Sequence, residues 1–502
     1  MFGSLSLIVS AVAGLILLSI FISTVKKVSF VLTSPLRALP GPRVSLWTNL
    51  VLKRAVVTGT RVHYVHALHQ KYGPIVRLSP NEVSVADPQS VQAIHKINSG
   101  YTKSPWYVEV APFGRPILFS MSDSKAHGTR RKLFARAFSK TYLRSNYEKT
   151  VHEMTKQVVM KIRNEAKQKG SACVLRWWTF MATDISALLM FGDSFHAIER
   201  GQVNEYIRIL QSNMKGSGIA AELPWWIPPL LKCIPVEGIR ELFRGNDILI
   251  KYGLEARKKS KAAGNDKSIF SAVNKEAQTE GGRLDETDVQ YESQGLLVAG
   301  SDTTAVTMTY LVWAVLSHPQ WQAKLEQEVA ELRPEFSEED LEKLPVLNGV
   351  IEETLRLYGA APGGLPRIVP KGGAHMMGHY IPAGTTVTTQ AFTLHRDSSL
   401  FRNPERFDPS RWQLSDDLED TGAVSRRITD AAKAVYSPFG LGARVCLGVH
   451  LARMEMRLAT TEFFRACRGA RLAHSVTDES MAMENHFLIA PKSHACEIVL
   501  QE

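Results

Sequence analysis

The hydrophobic pattern opens with an uncharged run, Phe2 to Val25, rich in Leu, Ile, Val, Ser and Gly and long enough to cross a bilayer as a helix. A cleaved signal peptide has a basic start and an apolar core of only ~7–15 residues. This run has neither, and Lys26-Lys27 follow it directly. Positive charge on the trailing side places that side in the cytoplasm. Residues 1–25 therefore predict a transmembrane signal anchor with a short lumenal N-terminus. Residues 26–43 predict a basic, proline-rich hinge, because Pro35, Pro40 and Pro42 fix φ and remove helix donors. Residues 44–502 remain as one large folded unit.

Within that unit, Ile75–Leu78 and Val83–Val85 read as short strands parted by Ser79-Pro80-Asn81, and a helix starts at Asp87-Pro88. Residues 99–120 are aromatic, proline-rich and irregular, and predict a pocket-lining loop. A basic helix spans 123–138, and an apolar one 177–195. Residues 216–238 are apolar yet full of helix breakers, which suggests an entrance loop that dips into a membrane. Residues 256–282 are polar and lysine-rich and read as a mobile surface connection. A long helix is expected from Asp285-Glu286 to His318-Pro319, another around Glu352, a strand over 387–392, and a last helix through Leu451, Met454 and Leu458. The fold class is mostly α with small β-sheets.

Composition narrows the function only slightly. With 502 residues, 44% hydrophobic and 22% charged, the balance is that of a globular protein. Five cysteines, odd in number and widely scattered, argue against a disulfide framework and for a reducing compartment. A net charge of +11 suits nucleic acid, an anionic membrane or an acidic protein. No nucleic-acid motif accompanies it, so the membrane and the protein partner are preferred.

The candidate chemistry centres on a glycine-rich loop, Ser437 to Gly448, that presents Cys446 just before a helix. Unpaired N–H groups and the helix dipole favour a thiolate there, and such a thiolate can be a single axial ligand to haem iron. For a lone cysteine the plainer reading is a structural one. On the long helix, Ala299-Gly300 are small enough for a flat ligand to lie against the backbone. Asp302 beside Thr303 can carry protons into an apolar site, and Thr303 can bond back to a carbonyl. The plainer alternative is a helix-packing glycine with incidental polar neighbours. His127 and Arg131 share one helical face, as do Glu353 and Arg356.

The spacing Phe439-x-x-Gly442-x-Arg444-x-Cys446-x-Gly448 resembles the haem-binding signature of the cytochrome P450 family. Residues 299–304 are similar to that family's long-helix pattern, and the resemblance runs from Pro40 to the end. It implies the mostly helical P450 fold, with haem b between the long helix and the Cys446 loop. Cys446 is then the axial iron ligand, beside Phe439. Haem propionates are implied to sit on Arg131, Arg367, Arg444 and His127, the last standing where many members have Trp. Ala299 and Gly300 would face the haem, with Asp302 and Thr303 supplying protons. Glu353 and Arg356 would form a structural network with Arg406, and 360–365 and Phe487 would border the substrate.

The activity implied is monooxygenation of a lipophilic small molecule by hydroxylation or epoxidation. The run Lys71 to Glu82 resembles fungal microsomal members that act on polyketides, terpenoids or alkaloids in secondary metabolism. No flavin or nicotinamide fingerprint is present, so electrons would come from NADPH through a separate NADPH–cytochrome P450 reductase, with cytochrome b5 as a further donor. Lys132, Arg136 and Lys433 are candidate contacts for it. The implied location is the endoplasmic reticulum membrane, single-pass, with contact to lipid and a cytosolic catalytic body. Two alternatives are a haem-thiolate isomerase or dehydratase that needs no reductase, and a non-enzymatic haem-binding protein. The Asp302-Thr303 pair argues against the first, and neither a sensor nor a carrier needs a proton supply. A membrane-tethered scaffold would leave the five signature positions unexplained.

Overall fold

A computed structural model describes residues 2–203, 205–224, 226–262, 268–279, 284–413 and 428–501. Helices dominate it, and the sheets are short. At its centre the 31-residue helix Glu286–Leu316 lies against the apolar helix Val174–Phe191. Asp285 starts the long helix by accepting a bond from the Asp288 N–H at 2.7 Å, and Pro319 follows its end. Helix Lys140–Lys169 packs on Val449–Ala466, the helix that leaves the cysteine loop. Trp178, Phe180, Met308, Leu311 and Phe463 are fully buried between these elements and form the main core.

A smaller lobe is built on a five-stranded sheet with the order Ile75–Ser79, Glu82–Val85, Thr386–Thr388, Arg367–Ile368 and Thr102–Lys103. The two strands expected first pair antiparallel, Ile75 opposite Val85. The strand expected over 387–392 is shorter, and Ala391–Leu394 turns into helix. One pairing matters for the site: Lys103 stands opposite Arg367, so two distant segments bring two cations to neighbouring strands.

The proline-rich stretch packs into the small lobe rather than standing free of it. Leu36 and Leu39 join the buried cluster under the sheet. The Arg77 guanidinium donates to the carbonyls of Leu36, Leu39 and Pro42 at 3.0, 2.7 and 3.2 Å.

The transmembrane helix expected at Phe2–Val25 is not supported. Among the described residues no helix is long and apolar enough to cross a membrane. The first helix spans Phe2–Thr33, so Lys26 and Lys27 fall inside it rather than at its end. The side chains of residues 1–13 lie outside the described part.

The connection expected over 256–282 is partly helical, because helix Glu237–Ala262 enters it and Ile269–Thr279 crosses it. Its positions 263–267 and 280–282 lie outside the described residues, as does Trp225 of the expected entrance loop. What is described of that loop contains a short helix, Ile227–Leu231, with Trp226 and Leu230 exposed.

Candidate active site

The loop before the helix Val449–Ala466 is shaped by two glycines with left-handed backbone, Gly440 at φ +76° and Gly442 at φ +62°. A side chain at Gly442 would also collide with the His95 carbonyl, its Cβ falling 1.9 Å away. The Cys446 N–H donates to the Phe439 carbonyl at 2.8 Å, which closes the loop and leaves the cysteine side chain exposed. Although the side chain is exposed, the protein packed around the loop desolvates the sulfur and pushes its pKa up, against smaller opposing pulls from the Gly448 N–H and Arg131. The expected thiolate is therefore not set by the helix terminus alone; a bound metal ion would have to displace the proton.

Four cations gather near this loop: Lys103, Arg131, Arg367 and Arg444. Arg367 is buried and donates to the Tyr107 hydroxyl at 2.9 Å and the Pro366 carbonyl at 3.0 Å. Arg444 donates to the carbonyls of Met121 and Ser122 at 2.7 and 3.1 Å. Lys103 is buried, donates to the Phe119 carbonyl and lies 4.1 Å from the centre of the Tyr107 ring.

None of the four pairs with a carboxylate among the described residues. Burial, then Arg367 and Arg131, hold the Lys103 ammonium well below its ordinary range, with Arg444 contributing between them. Burial, followed by Arg367, brings Arg444 down to about 10. His127 is buried beside them and is pushed down to about 3 by burial and the neighbouring charges, so its imidazole is neutral. Crowding cations without anions is costly, so this cluster fits a group that brings two carboxylates, as the two haem propionates do. Arg130, one position from Arg131, is spent otherwise: it pairs with Asp288 at 3.2 Å and Glu292 at 3.1 Å, tying the basic helix to the central one.

On the central helix Ala299 is exposed and Thr303 half-buried, although residues 304–312 that follow are buried throughout. The Thr303 hydroxyl donates to the Ala299 carbonyl at 2.7 Å, the back-bond expected. Asp302 has no hydrogen bond or ion pair among the described residues, and burial pushes its pKa up to about 7. Gly300 has a different role from the one expected. A Cβ there would sit 2.3 Å from the Ser186 hydroxyl, so the glycine serves the close approach of Val174–Phe191 rather than a flat ligand.

The family model for cytochrome P450 matches residues 39–497. The chain belongs to the cytochrome P450 family. Cytochrome P450 monooxygenase stcB of Emericella nidulans is 42% identical over 480 residues, covering 93% of this chain and 89% of the relative. Cytochrome P450 monooxygenase cypX of Dothistroma septosporum is 38% identical, covering 93% and 91%. Cytochrome P450 monooxygenase tazI of Aspergillus terreus is 37% identical, covering 97% and 98%. As a P450 the chain is an oxidoreductase that uses haem iron and takes electrons from a reductase.

The structural network of this P450 differs from expectation in one partner. Glu353 and Arg356 are fully buried and joined by two bonds of 2.8 Å. The second cation is Arg411, whose Nε donates to Glu353 at 3.0 Å. Arg406 is exposed and contributes only its carbonyl, which accepts from Arg356 and Arg411 at 3.2 Å each. The Trp412 indole and the Asp408 N–H also donate to Glu353, at 2.9 and 2.8 Å.

His395 carries this network to the cysteine loop. Its Nε2 accepts from the Ser437 N–H at 2.9 Å, which leaves the ring proton on Nδ1 for the Arg356 carbonyl at 3.0 Å. Burial pushes this imidazole down to about 3, so it stays neutral.

Further residues escaped the sequence reading. Lys103 and His395 carry no local motif, whereas Tyr107 belongs to the aromatic loop expected to line the pocket. Glu455, on the helix after Cys446, is buried under the central helix near Thr304; burial pushes its carboxyl up to about 8. On the other side, Phe487 meets Trp106 and Phe119 edge-on at 5.7 and 5.9 Å between ring centres. The turn carrying Phe487 thus does reach the aromatic loop of residues 99–120.

Proposed function

We propose that this P450 monooxygenase hydroxylates or epoxidises a lipophilic small molecule, a polyketide, terpenoid or alkaloid intermediate of secondary metabolism. Its electrons come from NADPH through a separate NADPH–cytochrome P450 reductase. The observation that carries the reading is the exposed Cys446 beside a cluster of cations that form no ion pair with a carboxylate among the described residues.

When bound, haem b supplies dioxygen activation, which an axial thiolate favours. The chain's own residues do the rest. Cys446 would give up its proton to hold the iron, and Arg131, Arg367, Arg444 and Lys103 would hold the propionates with neutral His127 beside them. Asp302, poised near neutrality, holds a proton at its carboxyl, and the Thr303 hydroxyl orients the proton supply from its anchor on the Ala299 carbonyl. The aromatic edge of Trp106, Phe119 and Phe487 favours an apolar substrate and excludes water. Lys132 and Arg136 are exposed, as is Lys433, and suit an acidic reductase or cytochrome b5.

We place the protein at the endoplasmic reticulum membrane with its catalytic body cytosolic. The exposed Trp47, Leu50, Trp226 and Leu230 support this. Membrane lipid is then a partner, and carbonate extraction of microsomes checks the assignment. A reductase-independent isomerase or dehydratase is disfavoured by the Asp302-Thr303 pair.

The test is spectroscopic and kinetic. The haem-loaded protein gives the reduced carbon-monoxide spectrum of a thiolate ligand and consumes oxygen only with NADPH, reductase and substrate. Cys446→Ala loses both. Bound haem without the thiolate spectrum in the unaltered protein would overturn the assignment.

A further inference from the structure

We propose that Lys103 and Glu292 are positioning residues for Phe119: from opposite walls they clasp the turn of residues 117–120 and so set the aromatic edge against which the substrate lies. The inference rests on the reading of Trp106, Phe119 and Phe487 as that edge.

The turn first closes on itself. The Ser120 N–H donates to the Ile117 carbonyl at 2.8 Å, and the Ser120 hydroxyl accepts from the Ile117 N–H at 3.1 Å. Ile117, Leu118 and Ser120 are buried, whereas Phe119 between them is half-buried and is the member of the turn left accessible.

Two side chains far apart in sequence then hold the turn. From the central helix, both oxygens of the Glu292 carboxylate accept from the Leu118 N–H, at 2.9 and 3.1 Å. From the small lobe, the Lys103 amino group donates to the Phe119 carbonyl and lies 4.6 Å from the centre of the Phe119 ring. A surface loop gives such peptide groups to water. Here two adjacent residues give an N–H and a carbonyl to buried side chains of different walls.

The seat on the central helix is close. A Cβ at Gly295, three residues beyond Glu292, would fall 2.5 Å from Ile117 Cδ1. Charge pairing does not account for Glu292, because its cation Arg130 already has Asp288 at 3.2 Å. Burying a further carboxylate is costly unless its bonds are used, and the bonds it makes are to this turn. Lys103, which the propionates would also engage, donates within the protein to the same turn. Arg444 of the cysteine loop takes the next carbonyls, of Met121 and Ser122, so three elements converge on residues 118–122. Phe119 in turn meets Tyr107 and Phe487 edge-on at 5.4 and 5.9 Å, so its place decides how the edge closes.

The experiment uses the haem-loaded enzyme at about pH 8. Burial lifts the Glu292 carboxyl to about 7 against the pull of Arg130, so the acid is ionised above that. Two iron-binding probes are compared: imidazole, and the triaryl imidazole clotrimazole, whose rings fill the space above the iron. Glu292→Met and Lys103→Met keep an unbranched stem and remove the hold on the turn. In each, hydrogen exchange over residues 113–123 should quicken about tenfold, as expected when a buried peptide group loses its partner. The ratio of clotrimazole to imidazole dissociation constants, read from Soret shifts, should rise about fivefold, the size of one displaced aromatic contact. Damage at the haem itself would weaken both ligands alike and leave the ratio where it was. The two variants act from different walls, so either one tests the clasp should the other load haem poorly. Unmoved exchange and an unmoved ratio overturn the proposal. If Phe119→Leu leaves the ratio as it was, the reading of the aromatic edge fails; if Phe119→Leu raises it while both methionine variants behave as the unaltered enzyme, the clasp alone fails.

Discussion

Gly300 and Ser186 stand so close that a single methyl group decides how two central helices meet. The Cβ of an alanine at 300 would fall 2.3 Å from the Ser186 hydroxyl and 3.4 Å from its Cβ, so only the oxygen is in the way. Gly300→Ala should destabilise the protein by about 1–3 kcal/mol, the usual cost of overpacking. Adding Ser186→Ala should recover most of that loss, because the Ser186 hydroxyl has no hydrogen-bond partner to forfeit. Thermal melts of the two variants check this, and haem content should hold in the double variant; lasting haem loss there would return Gly300 to the ligand face. Thr303 presents the opposite case. Its hydroxyl bonds only to the Ala299 carbonyl within its own helix, so Thr303→Ala should keep fold and haem. Product per NADPH should fall and peroxide rise; a fully coupled variant would count against a role in proton supply.

The segment after helix Pro345–Tyr358 is held by one buried carboxylate, Glu353, with Arg356 and Arg411 as its two cations. Removing one partner of such a buried pair costs about 3–5 kcal/mol. Arg411→Ala should lower stability by that order and shed haem, because His395 links the network to Ser437 of the cysteine loop. Arg406→Ala, an exposed side chain, should stay within about 0.5 kcal/mol of the unaltered protein. Urea unfolding of the haem-loaded variants separates the two. This contrast also shows where the sequence was informative. Glu353 and Arg356 are three apart on one helix, and Phe439 to Gly448 form one contiguous loop, so local spacing revealed both. The second cation, Arg411, sits 58 positions from Glu353, and which arginine turns inward depends on how residues 403–412 fold back. Lys103 reaches the site through strand pairing with Arg367, and Glu455 through burial under the central helix. No pattern along the chain marks either. For Gly300 both readings, ligand face and helix packing, stay open in the sequence, because a small residue on a helix serves either equally well until the neighbouring Ser186 is known.

The helical body and the small lobe each contribute one wall of the site, and the body carries its ionisable groups into an interior that opposes charge. That leaves a signature in how stability responds to pH. His395 has its pKa lowered from 6.5 to about 3, so the native state binds fewer protons than the unfolded chain in that interval. Its contribution is complete above pH 6.5 and is lost as the pH falls towards 3. Glu455 has the opposite sign. Its carboxyl rises from 4.5 to about 8, so the native state binds the extra proton, and its contribution is complete below pH 4.5 and is lost as the pH rises through 8. The two oppose each other where their intervals overlap, and above 6.5 Glu455 acts alone of this pair. Melting temperatures of the haem-loaded protein should therefore decline from pH 6.5 to 8, the Glu455 part with a limiting slope of about 1.4 kcal/mol per pH unit. Glu455→Gln lowers the baseline by leaving an amide underbonded, but it removes the titration, so its curve should be flatter over the same interval. Parallel curves for the two proteins would mean that Glu455 is ionised in the folded state.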